Sequence, residues 1–452
     1  MQRLFGTDGV RGVANQELTP ELAFALGRAG ALVLSHRGNG KQRQRARVLV
    51  GRDTRISGEM LEAAMVAGIT SAGADAVLVG VVPTPAVAFL VQVLDCDAGA
   101  VISASHNPVE DNGIKFFAAD GFKPPDEVED EIAALVYNPP NGARPIGAQV
   151  GRVISCSNGL ERYIRRLCDI VPVDLTGIHV ALDCANGAAS VCAPEILRRL
   201  GARLTVIHND PDGININVEC GSTHPESLQA LVQAAGADLG IAHDGDADRV
   251  IAVDHTGRIV DGDKILAICG LQLLKAGELP QRKIAATLYS NGGLVKAFRD
   301  AGGDVVTTPP GDRCVLEAML EHGLVLGGEQ SGHIIFLRDS TTGDGILSAL
   351  KLLDVMVQTG QPLAELAEVM PVFPQALVNV RVRTKLGWDS EPEIASTVEA
   401  AKQKLGPDGR LFIRPSGTEP VIRVMGEHPD AELVDAAVRM VAERIGACLG
   451  ME

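Results

Sequence analysis

With 452 residues the chain is long enough for three or four domains, and at 46% hydrophobic and 22% charged it reads as a soluble globular protein. No apolar run reaches the ~18–20 residues of a membrane span, and the N-terminal stretch lacks the apolar core of a secretory signal. A net charge of −16 argues against nucleic acid as a partner, and it requires that any anionic substrate be met by local Arg side chains, backbone N–H groups or a metal.

The nine cysteines are dispersed with no Cys-x-x-Cys pair, several in apolar surroundings such as Cys192 and Cys269. They read as reduced thiols of a cytoplasmic protein. Phe5-Gly-Thr-Asp-Gly-Val-Arg-Gly12 is rich in Gly, and Arg11 on so closely turned a loop would suit an oxyanion. Residues 20–35 predict an amphipathic helix, with Leu22, Ala25, Leu26, Ala29 and Val33 on one face. Residues 36–47 are polar and basic and read as a solvated loop. Residues 48–50 predict a strand, Gly51-Arg-Asp-Thr-Arg55 is its exit, and Ser57 is expected to cap a helix running to Ser71.

Ala98-Gly-Ala-Val-Ile102 predicts a buried strand ending in Ser103-Ala-Ser-His-Asn-Pro108. Pro108 biases Asn107 away from helical angles, so Ser105 and His106 sit where the strand leaves its sheet. In open α/β sheets ligands bind outside the carboxyl ends of strands, which makes Ser105 a candidate nucleophile. Asp111-Asn-Gly113 and Lys115 follow at once.

A unit then recurs. A helix, Ala72-Gly-Ala-Asp75 and a strand are echoed by a helix, Leu200-Gly-Ala-Arg203 and a strand, and again by a helix, Ala301-Gly-Gly-Asp304 and a strand. In each, Gly closes the helix. Each unit goes on to a second strand with an unusual exit: Ser103-Ala-Ser-His-Asn-Pro108, His243-Asp-Gly-Asp-Ala-Asp-Arg249 and Gly327-Gly-Glu-Gln-Ser-Gly-His333. Three related α/β units presenting equivalent loops to one cleft are therefore expected. Asn138-Pro-Pro-Asn-Gly-Ala-Arg-Pro145 and Pro371-Val-Phe-Pro374 mark boundaries, and the last ~80 residues read as a separate α+β domain. The expected fold is α/β, three similar mixed-sheet domains (1–155, 156–255, 256–370) around a central cleft, followed by the α+β domain 371–452.

Three loops carry chemistry besides that of Ser105. Asp244, Asp246 and Asp248 alternate after a buried strand, so their carboxylates can converge. Hard divalent cations such as Mg²⁺ take oxygen ligands of this kind, and no Glu stands where an EF-hand would need it. Arg249 adds a fixed positive charge. Arg414-Pro-Ser-Gly-Thr-Glu-Pro420 with Arg423 fits a phosphate clamp: two guanidinium groups, the hydroxyls of Ser416 and Thr418, and Gly417 for close backbone approach. On a terminal domain it would serve as a lid. Glu329 and Ser331 suit sugar hydroxyls. Together they suggest phosphoryl transfer on a sugar phosphate. Walker-type and kinase motifs are absent from the sequence, so a serine that itself carries the phosphoryl group would supply the donor.

These motifs resemble the α-D-phosphohexomutases over essentially the whole chain: Gly6-Thr-Asp-Gly-Val-Arg-Gly12, Gly51-Arg-Asp-Thr-Arg-Ile-Ser-Gly58, Ile102 to Pro108, Asp244 to Arg249, Gly328-Glu-Gln-Ser-Gly-His333, Thr341-Thr-Gly-Asp-Gly345 and Arg414 to Pro420. Gln330, where relatives acting on mannose or glucose phosphates more often have Met, resembles the glucosamine branch. The resemblance implies that Ser105 is a phosphoserine and that one Mg²⁺ per subunit is held by Asp244, Asp246, Asp248 and the Ser105 phosphate. It implies that Glu329, Ser331 and His333 line the sugar site, and that His106, Lys115 and Arg11 assist by acid/base or electrostatic action. It implies interconversion of glucosamine 6-phosphate and glucosamine 1-phosphate through a glucosamine 1,6-bisphosphate, a step toward UDP-N-acetylglucosamine. It also implies a cytoplasmic enzyme whose partner is a small sugar phosphate and, since some members are dimers, a homodimer. The rival on the same scaffold acts on mannose or glucose phosphates. A catalytically silent sugar-phosphate binder and a phosphatase are the readings from other classes. Two positions depart from the family pattern. Ala247 stands where Gly is usual, which is tolerable if φ there is negative. Cys314 stands where an aromatic is common.

Overall fold

The computed structural model describes residues 3–6, 8–35, 45–140, 144–416 and 420–450. Most of the loop read at 36–47 thus lies outside the described residues, as do Gly417 and Thr418. The chain forms two compact units, one of Met1–Leu288 with Val306–Glu368, the other of Tyr289–Val305 with Val369–Glu452.

The first unit is built on three mixed sheets. In the first, Arg47–Arg52 runs parallel to Asp75–Val81 and to Ala98–Ile102, and Ala98–Ile102 pairs antiparallel with Asp111–Ala118. In the second, His179–Asp183 is parallel to Arg203–Ile207 and Leu239–His243, and Leu239–His243 turns back antiparallel into Val250–Asp254. In the third, Lys283–Thr287 is parallel to Leu326–Gly328, which turns back into Ile334–Phe336. The expected equivalence therefore holds. In every sheet the unusual loop joins the last parallel strand to its antiparallel neighbour.

The recurrent Gly has a physical reason. Gly73, Gly201 and Gly302 all follow helix ends at positive φ (88°, 94° and 73°), where a Cβ would be strained. The helices Pro20–Ser35 and Ser57–Ser71 lie against each other at Gly68, where a Cβ would meet the Phe24 carbonyl oxygen at 2.1 Å. Phe5, Leu26, Leu61, Met65 and Phe116 fill the core beneath them. Ser57 is not the cap expected of it. It lies inside the helix, Ile56 before it already has helical angles, and its hydroxyl accepts from Asn112 Nδ2 at 2.9 Å. The Asn112 amide, fully buried, needs that acceptor more than the helix end does.

Asp344 caps the helix Gly345–Thr359 through Leu347 N and accepts from the buried Tyr163 hydroxyl at 2.9 and 3.0 Å. Burial, against those hydrogen bonds, pushes its carboxyl up to about 6. A carboxyl raised on folding is neutral in both states at low pH and must be ionised at a cost in the folded state at high pH. Stability is thus fully present below pH ~4 and lost as pH rises through about 6. Asp344→Asn, still able to cap, should gain up to ~3 kcal/mol over wild type, with the difference between their urea midpoints opening between pH 4 and 6.

The second unit has a three-stranded antiparallel sheet in the order Gln375–Arg381, Val421–Glu427, Arg410–Pro415. The helices Pro392–Leu405 and Ala431–Leu449 pack on it around Ile394, Val424, Val438 and Ile445. The segment Tyr289–Val305 belongs here: the buried Glu427 carboxylate accepts from Gly292 N, from Arg410 and from Gln375. Among the described residues no helix is long and apolar enough to cross a membrane.

Candidate active site

Ser105 lies just past the end of its strand, almost wholly buried, at φ 52°. A left-handed angle on a non-Gly residue persists only where surroundings hold it. The holder is Arg55. Its guanidinium is fully buried, pairs with Asp53 Oδ2 at 3.0 Å, and donates to the carbonyls of Ser105 (2.9 Å), Asn107 (2.7 Å), Asp111 (3.1 Å) and Pro108. Asn217 Nδ2 donates to the same Ser105 and Asn107 oxygens at 2.8 and 3.1 Å. Ser103 Oγ links Asp53 (2.6 Å) to the Ser105 N–H (3.0 Å). The sequence reading gave Arg55 and Asn217 no role. The signal for Arg55 was its place just past a strand end, two residues after the carboxylate of Asp53.

The Ser105 hydroxyl donates to Asp244 Oδ2 at 2.6 Å. Asp244, Asp246 and Asp248 are all buried, with one oxygen of each within 4.8 Å of the others. Thr84 Oγ1 donates to Asp246 Oδ2 at 2.6 Å, and Arg249 N to Asp244 Oδ1 at 3.2 Å. Asp246 Oδ1 and Asp248 Oδ1 are buried with no hydrogen-bond partner among the described residues. Burial together with Asp248 and Asp246 pushes the Asp244 carboxyl well up. Crowded carboxylates with unpartnered buried oxygens fit a hard divalent cation. Ala247 has φ 56°, so the negative angle at which Ala in place of Gly would be free of strain is not adopted. The loop closes through Ala247 N on the Asp244 carbonyl (3.1 Å), and Gly345 N donates to the Ala247 carbonyl (3.0 Å), so the reversal that gathers the acids needs the left-handed angle.

Positive charge stands around the triad. Lys115 Nζ lies 3.4 Å from Asp246 and 3.8 Å from Asp248. Burial would discharge it, but Asp246, Asp248 and Asp8 outweigh burial and hold it as an ammonium. Burial, with Arg249 and Arg11, pushes His106 down to about 4, so the imidazole is neutral at pH 7, with Nδ1 3.4 Å from Ser105 Oγ. Arg11 reaches Asn107 Oδ1 (3.3 Å) and Asp8 (3.1 Å). Lys123, not singled out from sequence, pairs with Asp8 at 3.4 Å and with Asp312. These cations answer locally the net charge of −16.

A cavity of about 200 Å³ brings Ser105, Arg11, Asp248, Arg249, Glu329 and His333 together. Loops of all three sheets therefore meet in it. Glu329 Oε1 accepts from Gly311 N at 3.1 Å, and His333 lies 3.5 Å from Asp248. Ser331 is exposed and does not line this cavity. A neighbouring hollow of about 400 Å³ shares Asp312 and His333 but is walled mainly by Phe122, Leu316 and Ile335 and lacks Ser105. In the second unit Arg414 and Arg423 face each other in register on adjacent strands, and Arg414 lies over the Tyr289 ring at 5.4 Å. Ser416 N donates to the Val421 carbonyl at 2.8 Å, closing the hairpin that carries them.

Models of the phosphoglucomutase/phosphomannomutase family match this chain along most of its length: alpha/beta/alpha domain I at residues 2–141, domain II at 161–257, domain III at 261–373 and the C-terminal domain at 377–444. A phosphoglucosamine mutase of Moorella thermoacetica is 58% identical over 433 residues, 96% of this chain and 96% of that protein. One of Heliobacterium modesticaldum is 54% identical, covering 98% and 99%. Among solved structures, a phosphoglucomutase/phosphomannomutase family protein of Burkholderia thailandensis is similar with a TM-score of 0.82 at 25% identity, over 100% of both chains. An Aspergillus fumigatus N-acetylphosphoglucosamine mutase, solved with GlcNAc-6P and magnesium, shares the fold with a TM-score of 0.67 at 19% identity, covering 98% and 95%.

Proposed function

The chain belongs to the phosphoglucomutase/phosphomannomutase family, and on that premise we propose that it is an isomerase interconverting glucosamine 6-phosphate and glucosamine 1-phosphate. Ser105 is the phosphoryl carrier and glucosamine 1,6-bisphosphate the intermediate. The observation that carries this reading is the Ser105 hydroxyl 2.6 Å from Asp244, in a cavity shared with Arg11, Arg249 and Glu329.

In the forward half-reaction the phosphorus–oxygen bond at Ser105 breaks, a new one forms to the sugar hydroxyl, and the hydroxyl proton ends on Ser105 Oγ. The second half-reaction reverses this with the other phosphate of the intermediate. The transition state is loose, so fixed charge and positioning are the main assets. Arg55 and Asn217 orient the carrier loop. Lys115, kept as an ammonium, supplies positive charge beside the triad, and neutral His106 can hydrogen-bond near Oγ, although burial with Arg249 and Arg11 opposes its taking a proton. Glu329 and His333, which line the cavity, are assigned to the sugar, and Ser331, exposed and outside it, is not. Arg414, Ser416, Gly417, Thr418 and Arg423 are assigned to its phosphate. Asp244, Asp246 and Asp248 would hold Mg²⁺, which when bound neutralises charge on the phosphoryl oxygens.

The reading is tested by comparing kcat/KM for glucosamine, mannose and glucose 6-phosphates, with Ser105 phosphorylation followed by mass spectrometry. The glucosamine substrate is expected to lead. A ratio favouring mannose would move the chain to the other branch, and Ser105 that stays unphosphorylated after incubation with a hexose 1,6-bisphosphate would remove the covalent route. Chelation is expected to abolish turnover. Mg²⁺ at 100 times its Kd should raise wild-type stability by about 2.7 kcal/mol in chemical denaturation, and Asp246→Asn should erase that shift.

A further inference from the structure

A second cluster of metal-ligating side chains lies apart from the carboxylate triad. Asp183 ends the strand His179–Asp183, and His208 immediately follows the neighbouring parallel strand Arg203–Ile207. Because Asp183 is in register with Ile207, the two side chains emerge side by side. Cys220 joins them from the loop before Gly221, and one ligand atom of each residue lies within 4.8 Å of the others. Asp183 and Cys220 are fully buried, while the His208 side chain is 29% exposed and leaves a way in. Cys220 is a free thiol.

Two details separate this cluster from a hydrogen-bonded polar knot. His208 Nδ1 is 3.0 Å from Asp183 Oδ2, yet that nitrogen is buried with no hydrogen-bond partner, because no N–H points along the short contact. Two ligand atoms bound to one tetrahedral ion at ~2.0–2.1 Å lie roughly 3.3 Å apart. The pair is therefore spaced like co-ligands without being aligned as donor and acceptor. The carboxylate is also fixed by backbone donors, Oδ1 accepting from Ala185 N at 2.8 Å and Oδ2 from Gly221 N at 3.0 Å, as outer-shell donors orient a ligating group.

We infer that Asp183, His208 and Cys220 form a site for a divalent transition-metal ion of the Zn²⁺ class, distinct from the all-oxygen set at Asp244, Asp246 and Asp248. One oxygen, one imidazole nitrogen and one sulfur suit a borderline-soft ion and disfavour Mg²⁺. On binding, the thiol releases its proton to solvent and the sulfur takes the ion, leaving one tetrahedral position for water. The site has a route to the chemistry. Three residues before Cys220 is Asn217, whose N–H donates to the Ala185 carbonyl (3.0 Å) and whose amide holds the Ser105 and Asn107 carbonyls. An ion at the cluster ties the loop that carries Asn217 to the end of the Asp183 strand.

The test uses the full chain, freed of metal by dialysis against a chelator, then placed in excess Mg²⁺ so that the oxygen set is filled before Co²⁺ is titrated. A thiolate-to-cobalt charge-transfer band should grow to saturation at about one equivalent per chain. Cys220→Ser should abolish the band, and His208→Gln should weaken Co²⁺ binding at least ~10-fold, each with an unchanged circular dichroism spectrum. No thiolate band in the wild type, or a band that survives Cys220→Ser, would overturn the inference. Should Cys220→Ser not fold, His208→Gln at the partly exposed position decides: Co²⁺ affinity equal to wild type would overturn it as well.

Discussion

Ser105→Ala is expected to lower turnover of glucosamine 6-phosphate by about 10⁴-fold or more while the protein stays folded. The size follows from what the hydroxyl is asked to do. It is the atom that breaks and re-forms a phosphorus–oxygen bond in each half-reaction, and no neighbouring group can stand in. His106 is an imidazole 3.4 Å away on a different path, and the Asp244 carboxylate is turned toward the hydroxyl as its acceptor. The structural cost is small. Alanine keeps the backbone donors and acceptors through which Arg55, Asn217 and Ser103 hold the loop, and it removes one hydroxyl from a nearly buried site. The check is a coupled assay started with trace bisphosphate, beside intact-protein mass spectrometry, in which the variant should carry no phosphate at this position. Wild-type turnover by Ser105→Ala would end the covalent reading.

Arg55→Ala should destabilise the fold by about 3–5 kcal/mol, the range for removing one partner of a buried pair. Asp53 would keep a carboxyl that burial already pushes up, without the guanidinium that opposes it. Four carbonyl oxygens of the Ser105 loop would each lose one donor at the same time, with Asn217 left to hold those of Ser105 and Asn107. Arg55→Lys should recover little. A single ammonium cannot satisfy a planar array of acceptors that a five-donor fork spans. Both variants should show a lower urea midpoint, and kcat should fall more than KM rises, because a loosened loop misplaces the reacting hydroxyl. A lysine variant with the wild-type midpoint and kcat would show that the pinning is unnecessary.

Much of the architecture was legible in residue order. The helix at residues 20–35 stands where its apolar spacing places it. The three odd loops were recognisable because each follows a buried strand and breaks its composition sharply. The Asp triad announced itself by alternation. What escaped notice depends on long-range closure. Arg55 looks like a surface charge in a polar loop, since Arg is seldom fully buried. Its burial makes sense only once the carbonyls of residues 105–111 are turned toward it. The sign of φ at Ala247 could not be read locally, because nothing nearby in sequence reports that the carbonyl of residue 247 must reach Gly345. Asp183, His208 and Cys220 have no recognisable spacing, and only the pairing of two parallel strands brings the first two together.

The second compact unit is drawn from two separate stretches of the chain, so the polypeptide passes between units at residues 288/289, 305/306 and 368/369. A terminal fragment cut at residue 369 would therefore lack the helix Gly292–Asp300, and the hidden Glu427 would lose the amide that Gly292 offers it. Exchange of C-terminal modules between relatives meets the same obstacle. A graft made at one seam keeps the buried Glu427 satisfied only if the host's own segment at residues 289–305 still offers it an amide where Gly292 stands.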